Sequence, residues 1–374
     1  MSATKRNEGI DLLRILSMFM IVNLHVLAQG GVMVRVTGHE LPYYVCWFLE
    51  TCAYCAVDCY GLISGYVGVE SKYRPARILE LWFQVFFYSA GITVLFWIFA
   101  PELLEADSFL KGFLPVSWKT YWYFSAYAGL FFLMPFLNRM INSMEEKELK
   151  KMALVLFLVF SAATALPKAY GVDFLSLGGG YSFVWLVILY LLGGCIRKCR
   201  WKRRKSRVYL LVYLGLVTFS WAFKILMENY TRRVYGEPRY GRLFTSYTAP
   251  TIFLCAVCLL LIFDRVKPEK PWMRRLISLA SPLAFSVYLI HTHPLIFSNL
   301  LKGAFSVYRS LPVWLILPAV LGTSALIYAG CSLVDAVRKQ LFSFLQIRRL
   351  SERLTGAVQN LWKESAGTEK SKEP

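Results

Sequence analysis

The chain of 374 residues is strongly apolar: 57% of its residues are hydrophobic, 17% are charged, and its mean hydropathy is +0.47. This composition excludes an ordinary soluble domain and predicts an all-α, polytopic membrane helical bundle. The formal net charge of +19 does not indicate nucleic acid as a partner, because most basic residues lie in short loops between apolar segments, where they determine topology.

Ten apolar segments, each long enough to cross a bilayer, predict about ten transmembrane helices. They span residues 11–32, 43–68, 77–100, 120–141, 150–167, 181–196, 207–226, 246–264, 277–299 and 312–334. The basic run at 197–207 is typical of a cytoplasmic loop, and counting segments from it places both termini in the cytoplasm. We therefore predict a membrane domain over 1–336 and a cytoplasmic tail over 337–374. Within the tail, 341–362 has the pattern of an amphipathic surface helix, and 364–374 has that of a disordered end.

The first apolar segment carries two ionisable residues, Arg14 and His25, which are eleven residues apart. This spacing is about three helical turns, so both side chains point the same way, ~16 Å apart along the axis. Ionisable groups in a spanning helix usually face a partner or a wet cavity. We predict a polar track running inward from the cytoplasmic face, in which Arg14 holds a phosphate-bearing donor and His25 is a general base.

The second segment adds two carboxylates, Glu50 and Asp58. By depth alone Glu50 lies near His25 and Asp58 lies deeper, so both are catalytic candidates. A carboxylate beside an imidazole fixes its tautomer and raises its basicity. A lone histidine on an apolar helix is usually a hydrogen-bonded packing residue. The register with Arg14 and the nearby carboxylate favour a functional role instead.

Arg74 and Arg77 open the third segment, three residues apart at the start of a helix. Free backbone N–H groups and the positive end of the helix dipole add to the two guanidinium groups, so the segment has the features of an anion site. Anchoring by positive charge on the cytoplasmic side explains the same two residues equally well.

Aromatic and histidine motifs farther along the chain give further candidates for substrate binding. Trp122 and Tyr123 begin the fourth segment at the outer surface, where an interfacial aromatic belt is the default and a sugar-stacking platform is the alternative. His291 and His293 are two residues apart and face different ways on a helix, unlike the paired histidines of a zinc helix. We predict no metal site.

The loop at 224–242 is an exception to the charge pattern, because it is basic and yet is assigned to the outside. Either the positive charge of this loop has a function, or the count of membrane segments is wrong at this point. Arg232 and Arg233 are candidates for holding an anionic glycan or a lipid phosphate.

Five motifs, spread over residues 8–336, resemble the acyltransferase 3 family of integral membrane acyltransferases. They are Arg14 and His25 at the Arg-x10-His spacing after Asp11, the 57–66 helix end, Arg74 with Arg77, Trp122-Tyr123 leading to Pro135, and the run from Ser286 to His291. Their order is also similar to the enterobacterial common antigen O-acetyltransferase type. The chain departs from some members at Ile10, where they carry a second arginine.

The resemblance implies an O-acetyltransferase-like enzyme in which a cytoplasmic acyl-CoA docks its phosphates on Arg14, Arg74 and Arg77. Acetyl-CoA or another acyl-CoA is then a co-substrate, and no permanently bound cofactor is expected. His25 deprotonates a hydroxyl of a cell-surface polysaccharide or lipid-linked glycan, which attacks the thioester, or it carries a transient acyl group. The implied location is the bacterial inner or plasma membrane, with the lipid bilayer as a partner. The acyl group, the acceptor sugar and the oligomeric state stay open.

Two other classes of protein fit the same segments. A transporter or flippase that exports a glycan or small solute would use Arg14 and His25 for proton coupling. A non-catalytic membrane sensor or scaffold would keep its output when His25 is removed, whereas an acyltransferase would lose nearly all activity.

Overall fold

The computed structural model describes residues 6–33, 40–201 and 204–370, and within these ranges the regular secondary structure is helical, as the sequence predicts. The helices of the first half are α1 (Glu8–Leu27), α2 (Leu41–Ala53), α3 (Ala56–Gly68), α4 (Ala76–Phe99), α5 (Ser108–Phe113), α6 (Trp122–Ser143), α7 (Glu146–Phe157) and α8 (Ala163–Ala169). Those of the second half are α9 (Phe183–Lys198), α10 (Ser206–Tyr235), α11 (Pro250–Phe263), α12 (Pro271–Ala280), α13 (Ala284–His291), α14 (Pro294–Ile296), α15 (Val313–Phe344) and α16 (Ile347–Lys370).

Seven stretches of helix in the described ranges are long and apolar enough to cross a membrane. They are Glu8–Leu27, Ala76–Phe99, Trp122–Ser143, Glu146–Ala169, Ser206–Tyr235, Pro271–His291 and Val313–Phe344. The other three predicted segments form shorter helices: the second is divided into α2 and α3 at Tyr54 and Cys55, and α9 and α11 have 16 and 14 residues. The predicted count of about ten is therefore not confirmed, and the sidedness of the termini stays a prediction.

Helix α1 lies at the centre of the bundle and packs against α2, α3, α11, α12, α13 and α15. The side chain of Asn7 begins the helix by accepting hydrogen bonds from the backbone N–H groups of Gly9 and Ile10. Deeper in the bundle, the Ser324 hydroxyl on α15 donates to the Asn23 side-chain oxygen at 2.9 Å. Because α1 is surrounded on most sides, its polar side chains point into the protein rather than into lipid.

Glycines allow α3 and α9 to pack in close contact. A Cβ atom on Gly65 would stand 1.8 Å from the backbone oxygen of Tyr190, and one on Gly193 would stand 2.1 Å from that of Leu62. No side chain fits at such distances, so only glycine permits this approach of the two backbones. The contact fixes α3, and with it the positions of the side chains that α3 turns toward α1.

The C-terminal helices differ from the predicted tail in their limits. Helix α15 continues to Phe344 and so passes through the predicted boundary between 336 and 337. Helix α16 begins at Ile347 and extends to Lys370, past the start of the predicted disordered end at residue 364. Its residues Leu350, Leu354 and Arg353 are all exposed, and the amphipathic surface helix stays a prediction.

Candidate active site

A cavity of about 790 Å³ opens at the end of the bundle where α1 and α4 begin and α3 ends. Eight basic side chains line this basic cavity, against two acidic ones. The basic residues are Arg6, Arg14, Lys72, Arg74, Arg77, Arg338, Lys339 and Arg348. The structure thus brings together the three arginines predicted to hold the donor, and it adds others that the sequence reasoning did not assign to this site.

The carboxylate of Asp11 holds the Arg14 guanidinium at the cavity wall. Asp11 is buried, and its Oδ1 accepts from Nη1 of Arg14 at 2.6 Å and from the Ser281 hydroxyl at 3.0 Å. Its Oδ2 accepts from Arg6. A buried carboxylate with two guanidinium partners restricts the orientation of both guanidinium groups. Each guanidinium has five N–H donors, so most of the donors remain available for an anion.

Arg74 and Arg77 lie at the other side of the cavity mouth, and both are exposed. Arg77 is in the first turn of α4, which follows Pro75. The N–H groups of Arg77 and Ile78 already donate to the carbonyl oxygens of Arg74 and Pro75, so it is the positive end of the helix dipole that favours an anion there. The cavity mouth therefore has the features of a phosphate-binding site.

His25 pairs with His291, on α13. Nδ1 of His25 is 2.8 Å from Nε2 of His291, and the two ring centroids are 5.0 Å apart. The ring of Phe297 contacts His25 edge-on, with its centroid at 5.1 Å. His25 is only partly buried, whereas His291 is buried. Neither histidine is among the residues that line the basic cavity.

The hydrogen bonds of the pair determine where its protons lie. Nδ1 of His291 is 2.5 Å from the Val287 carbonyl oxygen, which can only accept, so this nitrogen carries a proton. In a neutral ring Nε2 of His291 is then an acceptor, and Nδ1–H of His25 donates to it. Nε2 of His25 consequently keeps its lone pair. This is the nitrogen that a general base or a nucleophile requires.

The two predicted carboxylate partners are not placed at His25. Asp58 is fully buried, and its Oδ1 accepts from the indole N–H of Trp185 at 3.0 Å. Glu50 is also buried, and its charged neighbours are Arg242 and Lys224. Depth along a helix does not fix the direction of a side chain, and α13 rather than α2 supplies the polar group beside His25.

The remaining predicted residues are distributed over two places. Tyr123 lines the deep end of the basic cavity, whereas the Trp122 ring packs on Tyr181 with centroids 4.8 Å apart. Arg232 and Arg233 lie in the last turn of α10, where positive charge complements the helix dipole. Neither lines the basic cavity, so their predicted role toward an acceptor is independent of the donor site.

Comparison with known families decides the class of protein. The acyltransferase domain of the acyltransferase 3 family matches residues 7–332, which is most of the chain. The chain belongs to this family. No curated protein and no solved structure matches it. Family membership together with the apolar helices supports a multi-pass membrane acyltransferase. The finer resemblance to the enterobacterial common antigen type stays a prediction.

Within this acyltransferase-family protein, the match covers both the cavity arginines on α1 and α4 and the two paired histidines. The sequence predicts His291 as a substrate-binding residue, and the structure adds its contact with His25, which the sequence pattern does not predict. Arg338, Lys339 and Arg348 follow the matched residues, and they belong to a basic part of the chain that the sequence analysis assigned to the tail.

Proposed function

We propose that this protein is an O-acyltransferase of the bacterial inner or plasma membrane, which moves an acyl group, in particular acetyl, from cytoplasmic acyl-CoA to a hydroxyl of a cell-surface polysaccharide or lipid-linked glycan. The observation that carries the proposal is one helix, α1, with Arg14 in a basic cavity at one end and a paired histidine with a free Nε2 at the other. The family match supports the transfer reaction.

The basic cavity is the proposed site of the acyl-CoA. Its volume of about 790 Å³ is within the usual range for small-molecule sites. One guanidinium group can donate two parallel hydrogen bonds to the oxygens of a phosphate. Arg14, Arg74 and Arg77 supply several free donors around one opening. The thioester end of the donor points inward along α1, toward His25.

The chemistry follows from the tautomer of the pair. Nε2 of His25 removes the proton from the acceptor hydroxyl, and the oxygen attacks the thioester carbonyl. A C–O bond forms, the C–S bond breaks, and the departing thiolate takes up the proton from the imidazolium. The imidazolium that forms is stabilised by the bond from its Nδ1–H to His291. Attack by His25 itself, with an acyl-histidine intermediate, uses the same nitrogen.

The acceptor side is supported by a second cavity, of about 230 Å³, near the other end of α4. Its wall includes Asn299 in the helical turn that carries Phe297, the residue in contact with His25. Lys111 also lines it, and hydrogen bonds to Asp107 and Glu105 raise the pKa of this lysine, which keeps it charged. Hydroxyl, amide and charged groups of this kind suit a polyhydroxylated ligand.

The direct test uses purified protein in lipid nanodiscs with radiolabelled acetyl-CoA and a lipid-linked glycan. We expect covalent label on the glycan with the wild-type protein and about a hundredth of that rate or less with His25→Ala. A transporter or flippase would move glycan across a vesicle membrane without labelling it, and this outcome would overturn the proposal. A sensor or scaffold would do neither.

A further inference from the structure

The basic cavity ends at a layer of three tyrosine rings, Tyr60, Tyr123 and Tyr288, which we call the aromatic floor. The ring centroids of Tyr60 and Tyr123 are 6.2 Å apart, and those of Tyr123 and Tyr288 are 6.4 Å apart. Tyr60 and Tyr123 line the cavity itself, whereas Tyr288 lies behind them. The floor draws its rings from three different helices, α3, α6 and α13.

The lining residues show how deep the cavity reaches. On α3 they run from Gly68 at the mouth to Tyr60, a depth of ~12 Å for eight residues of helix. On α6 they run from Asn138 to Tyr123, at the start of that helix. Helix α3 continues to Ala56 beyond Tyr60, but its residues there do not line the cavity. The cavity therefore stops at the aromatic floor.

The paired histidines lie on the far side of this floor. The chain that forms α13 leads from Ser281, which bonds Asp11 near the cavity mouth, to His291, which bonds His25. It therefore runs in the same direction as α1. The last residue of α13 to line the cavity is Phe285, and Tyr288 follows one turn later, one turn before His291. A group that passes from the cavity to His25 must cross the level of Tyr288.

Hydrogen bonds hold two rings of the floor in place, those of Tyr60 and Tyr288. The Tyr60 hydroxyl donates to the Arg14 carbonyl oxygen at 2.8 Å, which ties the floor to the helix that carries His25. The Tyr288 hydroxyl accepts from the backbone N–H of Tyr123 at 3.4 Å. Rings in edge contact leave little room at this level, so a group that reaches His25 from the cavity must fit between these rings or displace them.

We propose that Tyr60 and Tyr123 determine which acyl groups this protein transfers: the floor admits a short acyl group to His25 and rejects a long one. The inference rests on the proposed function, because it assumes an acyl thioester in the basic cavity. It adds a role that neither the family match nor the paired histidines supply, namely specificity-determining residues for the size of the acyl group.

The experiment compares acetyl-, butyryl- and octanoyl-CoA as donors for the wild-type protein and for floor variants. We expect the wild-type kcat/KM for acetyl-CoA to exceed that for octanoyl-CoA by at least ~100-fold, since single methylene groups in tight pockets are worth ~10–200-fold. Tyr123→Ala should reduce this ratio at least tenfold. Tyr123→Trp should act in the opposite direction and lower butyryl transfer relative to acetyl transfer.

The matched control is Tyr127→Ala, which removes the same side chain one turn nearer the mouth, from the wall of the cavity rather than its floor. It should keep the wild-type ratio of donors, whatever its overall rate. Tyr60→Leu tests the floor from the opposite helix if Tyr123→Ala does not fold. Unchanged donor ratios in both Tyr123→Ala and Tyr60→Leu would overturn the inference but leave the proposed function intact. If the wild-type protein transfers no acyl group from any donor, both fail.

Discussion

The Nδ1 atom of His25 lies 2.8 Å from Nε2 of His291, and the second nitrogen of His291 is committed to the Val287 carbonyl oxygen. This chain of two hydrogen bonds gives each histidine a different task. His25 keeps one nitrogen free for chemistry, and His291 orients the His25 ring by accepting a hydrogen bond from its Nδ1–H. The arrangement is analogous in logic to a base held by a third group in hydrolytic enzymes.

Removal of the free nitrogen tests the role of His25. Because general base catalysis contributes ~10²–10⁴-fold, His25→Ala should lower kcat by at least that range. The KM for acyl-CoA should change little, since His25 does not line the basic cavity. Steady-state transfer assays measure both constants. A variant that keeps more than a tenth of wild-type kcat would show that the base is another residue.

His291 is a positioning residue, so variants that can accept a hydrogen bond should retain more activity than variants that cannot. His291→Gln places an amide oxygen near the His25 ring and should retain more activity than His291→Leu, with a kcat loss of about 10-fold against about 100-fold for the leucine variant. The measurement is kcat with KM for acyl-CoA as the internal control. Equal losses in the two variants would indicate that His291 acts only by filling space.

Asp11 should affect donor binding rather than chemistry. Asp11→Ala frees Arg6 and Arg14 from their shared partner, so we expect the KM for acyl-CoA to rise about tenfold while kcat changes less. Arg74→Ala should act in the same direction, because it removes a guanidinium from the cavity mouth. Both KM values should increase with added salt, as screening weakens exposed charge pairs. A fall in kcat without a rise in KM would contradict this assignment.

The close contact between α3 and α9 predicts a large difference between two glycine substitutions. Gly65→Ala drives a methyl group against the Tyr190 backbone and should destabilise the protein by ~1–3 kcal/mol. Gly91→Ala, in α4, meets no atom within 4 Å and should be neutral or stabilising by up to ~1 kcal/mol. Thermal unfolding in detergent compares them. Equal melting temperatures would show that α3 and α9 are farther apart.

Much of the site follows from the sequence, because the relevant groups are fixed by periodicity along single helices. The spacing of Arg14 and His25 predicts a shared helix face, and the positions of Arg74 and Arg77 predict a helix start. The structure brings Arg14, Arg74 and Arg77 to one cavity. These predictions concern residues on a single helix, whose relative positions follow from helix geometry alone.

The partner of His25 depended on packing between helices, which periodicity does not determine. Glu50 was chosen by depth, but α2 ends at Ala53 and turns this carboxylate toward Lys224 and Arg242. The argument from depth also applies to His291, which is the better candidate for the partner of His25. His25 and His291 each lie fourteen residues after the start of a segment that leaves the predicted cytoplasmic face. Comparing all segments of one direction would have paired them.

The described ranges contain seven long apolar helices, although ten apolar segments are predicted, for a similar reason. Hydropathy over 43–68 is continuous, yet the chain turns at Tyr54 and Cys55 and forms two helices of 13 residues each. An apolar residue in a packed bundle lies either in the protein interior or against lipid, and both environments favour the same residue types. Hydropathy alone does not separate the two.

The most direct test of acyl transfer at His25 is a cryo-EM map of the protein in nanodiscs with a non-transferable acetyl-CoA analogue, in which a thioether replaces the thioester. We expect nucleotide phosphates beside Arg14, Arg74 and Arg77, with the acyl end past Tyr60 and Tyr123 and facing Nε2 of His25. A nucleotide bound elsewhere, or an acyl end directed away from His25 into lipid, would contradict it.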